Sequence, residues 1–413
     1  MAKQNFFYGW LIVGVSFVSM AFWMGIRSSF SLFYAKLVDE LGWTRADMAL
    51  SQSITLLMYM ISVPFIGGFI DRFGPKKVII PGVILTGAGL ALCATIKTIF
   101  AMYVFYGLIV GIGTPFISIV AYSSVLAHWF KKKRGLASGI ATSGMGVGTF
   151  GLVVLSKILI GTYGWRQAFL ILGLLTLCLL LPANGMFLRH RPEEIGLGPD
   201  GVQNCLPQGK DRARKKKIGR ILKSREFVMC VGFASLALLT VHIILVHNVR
   251  ILMDQGIPME KAADALAMVG LLSSFFRVFW GWLSDKKGRE LSYTSGAVFL
   301  LLSSVFLFFT KAEREWSLYI FVLTFSAGWA VTAPSFMALL ADLFKGEQFG
   351  AIYGLFESMI YGLSVAGVWI VGLIYDLTGT YWPTTFVIIV ASVILSVWII
   401  WLIDPARLNR EAP

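Results

Sequence analysis

Long apolar segments alternate with short polar ones along the whole chain. A helix that crosses a bilayer needs roughly 20 mostly apolar residues, and twelve segments of the sequence meet this requirement. They run approximately over 7–33, 47–70, 78–96, 100–127, 135–160, 166–188, 227–250, 262–283, 292–310, 316–341, 350–374 and 382–403. The pattern predicts an all-α membrane protein with twelve transmembrane helices.

One long polar stretch, 189–226, separates the sixth span from the seventh. Its eleven basic residues face five acidic ones, and the other even-numbered connections are also rich in lysine and arginine. Basic loops stay on the cytoplasmic side of a membrane. We therefore expect an N-terminal six-helix bundle (1–188), a cytoplasmic central loop (189–226) and a C-terminal six-helix bundle (227–413). Both termini are expected in the cytoplasm, and the protein is expected in the inner or plasma membrane of the cell.

Composition supports this class and excludes others. Hydrophobic residues make up 57% of the 413 residues and charged residues 14%, whereas a soluble protein carries about 25% charged residues. The net charge of +14 does not indicate nucleic acid binding, because the basic residues cluster between the spans. The sequence shows no metal-ligand spacing, no cofactor motif and no paired catalytic groups, so we expect neither an enzyme nor a metal or cofactor site.

The two halves repeat each other. GGFIDRFGPKK (67–77) follows the second span and GWLSDKKGRE (281–290) follows the eighth, which places Asp71 and Asp285 214 positions apart. KRGLASG at the start of the fifth span is matched by QFGAIYG at the start of the eleventh. Two spaced matches of this kind predict two pseudo-symmetric bundles.

Twelve spans, this duplication, a basic central loop and G-x-x-x-D-R-x-G after the second span resemble the major facilitator superfamily. The resemblance implies two six-helix bundles with alternating access, and it implies that the repeated loops form a gate; the alternative is that their charges only orient the helices. The gating residues implied are Gly67, Asp71, Arg72, Gly74, Asp285, Lys286, Gly288 and Arg289.

Three stretches resemble one branch of that superfamily, the monocarboxylate transporters and the oxalate:formate antiporters. They are HWFKKKRGLASGIATSGMGVG (128–148), RHRPEEIGLGPDG (189–201) and RVFWGWLSDKKGR (277–289). The resemblance implies transport of a small organic anion together with a proton, by a chain that works as a monomer.

Arg277 is the strongest candidate for binding this anion. It precedes Asp285 by eight residues, about 12 Å of helix, which puts it near the middle of a bilayer core. A cation there must face a wet cavity or a fixed partner, and a guanidinium matches a carboxylate through two parallel hydrogen bonds. The alternative is a structural salt bridge, but Ser273 stands one turn away, where the mammalian-type carriers place an aspartate.

Four further polar side chains inside the spans are candidates for a role. Arg27 is expected to contact substrate or its access path, with the alternative that it reaches the outer membrane interface. His247 is expected to carry a proton because histidine titrates near neutral pH. His242 competes for that role, and both histidines have the alternative of serving only helix packing. Glu357 is either a proton carrier or, as we expect, a latch of the cytoplasmic gate. The other predicted substrate contacts are Asn248, Phe276, Trp329, Phe336 and Tyr361.

One difference from the oxalate carriers bears on substrate charge. Where their eleventh span places a lysine, three residues beyond the position of Glu357, this chain has Ile360. This favours monocarboxylates such as lactate or pyruvate, although Arg27 leaves a dicarboxylate or an oxalate/formate-type exchange open. A drug exporter or a receptor that does not transport is less favoured.

Overall fold

The structure is a computed structural model that describes residues 7–43, 45–201, 218–311, 313–344 and 349–403. These residues form helices joined by short turns, and none of them is assigned to a strand. The sequence predicts a cytoplasmic position for the basic run at 210–217 and for the two chain ends. The basic run and residues 1–6 and 404–413 lie outside the described residues.

Six helical spans form in the first half, as predicted. Their bounds are Gly9–Leu41, Arg45–Phe73, Pro75–Cys93, Ile99–Trp129 and Arg134–Pro182, the last covering the fifth and sixth spans. Gly164 divides that long helix, because its φ of 81° lies in the left-handed region, which glycine adopts without a Cβ clash. Short π or 3-10 turns occur at Tyr103–Val110, Thr114–Ile117 and Ala183–Phe187.

Six more spans form in the second half. Their bounds are Arg225–Asp254, Met259–Lys287, Arg289–Phe309, Glu315–Leu343, Phe349–Thr378 and Thr384–Ile403. A short helix, Ile218–Leu222, precedes them. The seventh span begins where the Ser224 hydroxyl accepts a hydrogen bond from the N–H of Phe227 (3.3 Å), a standard way to satisfy a free amide at a helix start.

The repeated motif makes the same single-residue turn in both halves. Gly74 separates the second span from the third and has a φ of 82°, and Gly288 separates the eighth from the ninth with a φ of 97°. Both values are strained for any residue with a Cβ. The last glycine of each motif copy is therefore required by the backbone.

The described chain packs as two compact units. The first comprises the described residues within 1–132, 141–211 and 346–355; the second comprises those within 133–140, 212–345 and 356–413. The start of the fifth span packs within the second unit, and the start of the eleventh packs within the first.

Candidate substrate site and gating contacts

Arg277 is buried in the second unit, with 1% of its surface exposed. It lies in the eighth span, and its guanidinium carbon is 5.0 Å from the centre of the Trp329 ring. Trp329 belongs to the tenth span and stacks on Phe325 at 6.2 Å, which stacks on Phe321 at 5.7 Å. A cation over a desolvated indole face gains about 2 kcal/mol. This ladder of rings therefore fixes the plane against which the guanidinium lies.

The backbone of Arg277 is held by a close helix crossing. A Cβ placed on Gly139 would lie 2.5 Å from the Arg277 carbonyl oxygen, so only glycine permits this approach. The first unit repeats the crossing: a Cβ on Gly354 would lie 2.6 Å from the carbonyl oxygen of Val63, which precedes Arg277 by the repeat distance of 214 residues. The duplicated glycines read from the sequence thus mark two equivalent crossings.

His247 and Asn248 lie next to each other in the seventh span. The Nδ1 atom of His247 is 3.2 Å from the hydroxyl oxygen of Tyr381, and their rings are 5.2 Å apart. Asn248 is buried and donates to the carbonyl oxygens of Ile244 and Leu245 (2.9 Å each). Its Oδ1 atom has no hydrogen-bond donor among the described residues. Such a buried acceptor can receive a hydrogen bond from a ligand hydroxyl.

Glu357 and Tyr361 interact with each other in the eleventh span. Glu357 is 6% exposed and is hydrogen-bonded to Tyr361, one turn further along the helix. The Tyr361 ring is 5.4 Å from the ring of His242, whose Nδ1 lies 2.8 Å from the carbonyl oxygen of Leu238. The structure therefore gathers a carboxyl, a phenol and an imidazole in one cluster, and the roles of latch and proton carrier for Glu357 both stay predictions.

The two predicted phenylalanine contacts differ in their surroundings. Phe336 is 4% exposed and its ring packs edge to face with Phe233 (5.4 Å) and Phe356 (6.3 Å). Phe276 is half-buried beside Arg277 in the eighth span. Phe336 is thus part of an aromatic cluster within the second unit.

Arg27 lines a small open cavity within the first unit. Gln52, Thr55 and Tyr106 also line it, and its aromatic wall includes Trp23, which stacks on Tyr59 at 5.9 Å. The Oε1 atom of Gln52 is buried without a hydrogen-bond donor among the described residues. Sequence reasoning found Arg27 but missed the amide, because a glutamine within an apolar span carries no periodic signal.

In the first unit, Asp71 of the first motif copy accepts hydrogen bonds at the start of the eleventh span. The donors are the backbone N–H groups of Gly350 (3.3 Å) and Ala351 (3.0 Å) and the hydroxyl of Ser124 (3.1 Å). A carboxylate is favoured at the positive end of a helix dipole. Gly67 lies against the Gly350 backbone, and Arg72 stacks over Phe73 at 5.0 Å.

In the second unit, Asp285 makes the matching contact with the start of the fifth span. Its two oxygens accept from the backbone N–H groups of Gly135 and Leu136, each at 2.8 Å. Arg289 donates to Asp285 (2.7 Å) and to Asp342 (3.0 Å), and Arg134 forms a further ion pair with Asp342. Lys286 lies over the ring of Trp282 at 4.5 Å.

Arg134 and Asp342 are functional candidates that sequence reasoning missed. They are 208 residues apart. Arg134 was counted only among the basic residues of a connecting loop, and Asp342 was not considered. The position of Asp342 at the end of the tenth span, in a stretch (ADLFK) that matches AHWFK at the end of the fourth, was the available signal.

The described residues contain no group of three His, Cys, Asp or Glu side chains that could hold a metal ion. By length and apolar composition, helices that could cross a membrane occur in ten segments of the described chain, of which Arg134–Phe187 is long enough for two crossings. The predicted transmembrane architecture is therefore confirmed.

A family model described as the Major Facilitator Superfamily matches residues 11–337 and, in a second match, residues 254–413. The chain belongs to the major facilitator superfamily. The superfamily and the twelve-helix fold that the motifs implied are both confirmed.

Relatives of this superfamily member include monocarboxylate transporters. Monocarboxylate transporter 2 of Homo sapiens is 24% identical over 95% of this chain and 85% of its own length. Monocarboxylate transporter 4 of Rattus norvegicus is 29% identical over 69% of this chain and 59% of its own length. The predicted branch of the superfamily is thus supported by similarity along most of the chain.

Two solved structures share the fold. The superfamily transporter FucP in the outward conformation has a TM-score of 0.71 and 14% identity, and the match covers 94% of this chain and 98% of FucP. The proton:xylose symporter XylE has a TM-score of 0.70 and 16% identity, with 95% of each chain covered. At these identities the similarity shows the fold alone.

Proposed function

We propose that this protein is a secondary transporter of small monocarboxylates, such as lactate and pyruvate, that works by alternating access with Arg277 as the carboxylate anchor. The observation that carries the proposal is the position of Arg277, a permanently charged side chain that is 1% exposed in the middle of a membrane span. A guanidinium at this depth is costly to bury and is therefore a functional candidate. It can bind a travelling carboxylate through two parallel hydrogen bonds.

The surroundings of Arg277 fit this role. Trp329 holds one face of the guanidinium, and the Gly139 crossing fixes the backbone from which the side chain extends. A planar, preorganised guanidinium loses little entropy when it forms two hydrogen bonds to a carboxylate. The relatives named as monocarboxylate transporters support the same substrate class.

Coupling to a proton is part of the proposal. His247 is placed against the hydroxyl of Tyr381, and a histidine exchanges protons near neutral pH. A proton that moves with a monocarboxylate makes the cycle electroneutral. XylE, which has the same fold, is described as a proton symporter.

The test is uptake of labelled lactate and pyruvate into proteoliposomes, with and without an inward proton gradient. Arg277→Ala should abolish saturable uptake, and Arg277→Lys should weaken it because an ammonium lacks the planar fork. Arg314→Ala, at an exposed position before the tenth span, is the matched control and should leave uptake unchanged. Unchanged uptake by Arg277→Ala would refute the anchor assignment.

A second candidate function, exchange of dicarboxylates, is favoured by one observation. The cavity of the first unit presents a second cation, Arg27, together with the Gln52 amide, and these groups suit a second carboxylate. Exchange requires a counter-substrate inside the vesicle and gains nothing from a proton gradient. Preloading the proteoliposomes with oxalate, a dicarboxylate, therefore separates the two functions, because only a dicarboxylate exchanger is accelerated by it.

A further inference from the structure

Residues 189–200, here termed the strap, follow the sixth span and belong to the first unit. They contain a 3-10 turn at Pro192–Ile195 and the beginning of a second at Pro199–Gly201. Gly196 ends the first turn with a φ of 71°, and the N–H of Leu197 donates to the carbonyl oxygen of Pro192 (3.1 Å). The strap is thus a folded element, although the sequence predicts only a polar loop.

Both ends of the strap are attached to the end of the fourth span and the turn after it. The indole N–H of Trp129 donates to the carbonyl oxygen of Arg189 (3.2 Å). At the other end, one oxygen of Asp200 accepts from the backbone N–H groups of Lys131 (3.1 Å) and Lys132 (2.7 Å). Asp200 has a φ of 57°, a conformation that Asp and Asn tolerate better than most residues.

The two motif copies differ in their charges at the site where the strap lies. Aligning GGFIDRFGP with GWLSDKKGR places Pro75 opposite Arg289, and aligning AHWFK with ADLFK places His128 opposite Asp342. The ion pair that joins Arg289 to Asp342 in the second unit therefore has no equivalent from these positions of the first motif copy.

Strap residues occupy this part of the first unit. The ring of His190 packs edge to face on the ring of His128, at 5.2 Å. His128 lies one helical turn after Ser124, whose hydroxyl donates to Asp71. Arg191 follows His190, so the strap brings its positive charge near the Asp71 carboxylate. Burial, together with His128 and Arg191, lowers the pKa of His190 to about 4, so this ring is neutral at pH 7. Arg191 is then the residue of the strap that brings positive charge to Asp71.

We propose that the strap is a positioning element of the first motif copy: Asp200 secures it to the turn at 131–132, and Arg191 brings a positive charge near Asp71 in the motif copy where Pro75 stands in place of Arg289. The strap stabilises the Asp71 carboxylate, which accepts hydrogen bonds from Gly350 and Ala351. It thereby favours contact between the end of the second span and the start of the eleventh. The effect on transport rests on the function proposed above, whereas the contact itself can be measured without any substrate.

A disulfide between residues 68 and 351 measures this contact. A Cβ on Gly68 would lie 3.7 Å from the Cβ of Ala351, within the range of about 3.5–4.5 Å that disulfides require. The full-length chain carrying Gly68→Cys and Ala351→Cys is oxidised in membranes, and the linked tryptic peptides are quantified by mass spectrometry over time. Each single substitution gives the background from the native cysteines.

Four substitutions in the strap are each combined with the cysteine pair at 68 and 351. Asp200→Gly should slow disulfide formation about tenfold, the factor that corresponds to the loss of one hydrogen bond to a charged group. Arg191→Gln should also slow it, by about threefold or more, because it removes a positive charge near Asp71. Asp200→Gly keeps the left-handed backbone, and Arg191→Lys keeps the charge and should stay within about twofold of the parent rate. Glu193→Gln, an exposed position of the strap, is the matched control and should have no effect.

Three outcomes would decide the matter. Slower cross-linking by Arg191→Gln that Arg191→Lys restores supports the proposal, even if lactate uptake fails altogether. Equal rates in all variants overturn it. The proposal is also overturned if Arg191→Gln and Arg191→Lys slow cross-linking equally and lower the Tm equally. Such a result would show a general loss of stability that does not depend on the charge. If Asp200→Gly does not fold, Asp200→Asn, which keeps an acceptor oxygen and the backbone preference, takes its place.

Discussion

Substituting alanine for Gly139 should weaken carboxylate binding through the backbone of Arg277. The new methyl group would lie 2.5 Å from the Arg277 carbonyl oxygen, where ordinary contact begins near 3.4 Å. The two helices must therefore separate by about 1 Å locally, since a packed interior does not absorb an added methyl group without shifts. The guanidinium moves with its backbone and leaves the alignment that two parallel hydrogen bonds require.

The expected magnitude follows from one lost hydrogen bond. A hydrogen bond to a charged group contributes about 1.5–3 kcal/mol, which corresponds to a rise in the Kd of roughly 10- to 150-fold. The overpacked crossing also costs about 1–3 kcal/mol of stability. Uptake of labelled lactate by proteoliposomes gives the half-saturation concentration, and the Tm of the purified protein gives the stability change.

Two other glycines serve as controls. Gly354→Ala creates the same clash, 2.6 Å from the Val63 carbonyl oxygen, and should lower the Tm comparably without raising the half-saturation concentration. Gly151 lies in the same helix as Gly139 with nothing within 4 Å of an added Cβ, and its alanine variant should behave like the parent. If Gly139→Ala and Gly354→Ala changed the half-saturation concentration equally, the reasoning that links Gly139 to the anchor would be refuted.

Three further predictions concern other residues. Trp329→Phe should raise the half-saturation concentration for lactate less than Trp329→Leu does, because phenylalanine retains a weaker cation–π contact with Arg277; equal effects would argue against that contact. Asp342→Asn should lower the free energy of unfolding by about 2 kcal/mol, because two partly buried arginines lose their shared carboxylate, and the shift in Tm measures it. His247→Gln should abolish stimulation of uptake by a proton gradient while substrate exchange persists, since glutamine can hydrogen-bond but does not titrate; retained stimulation would assign the proton elsewhere.

The helices and their duplication could be predicted because they depend on local composition. A segment of twenty apolar residues in a bilayer hydrogen-bonds its own backbone N–H and C=O groups by forming a helix. The glycines at 74 and 288 could likewise be recognised as turns, since the positive φ that they adopt is a property of single residues. Gly135 and Gly350 could be paired by motif alone.

Most of the site geometry depends on contacts between distant segments, and these could not be predicted. Nothing local to Arg134 distinguishes the cation that pairs with Asp342 from the three lysines before it. Trp329 was predicted to contact substrate, but a sequence with 13 tryptophans could not show that this ring, 52 positions away, covers Arg277 itself. The strap was predicted only as part of a cytoplasmic loop. Its hydrogen bonds to the end of the fourth span and the following turn use one carboxylate and one backbone carbonyl of the strap, which leave no pattern of residue types.

The two helix crossings show which side chains this backbone accepts at the anchor position. Val63 stands in the first unit where Arg277 stands in the second; it is fully buried, and its carbonyl oxygen meets a glycine in the same way. Arg277→Val therefore installs a residue that an equivalent setting in the same chain already accommodates. If cells produce this variant in the same amount as the parent protein, any change in their growth reflects the loss of transport and not the loss of the protein from the membrane.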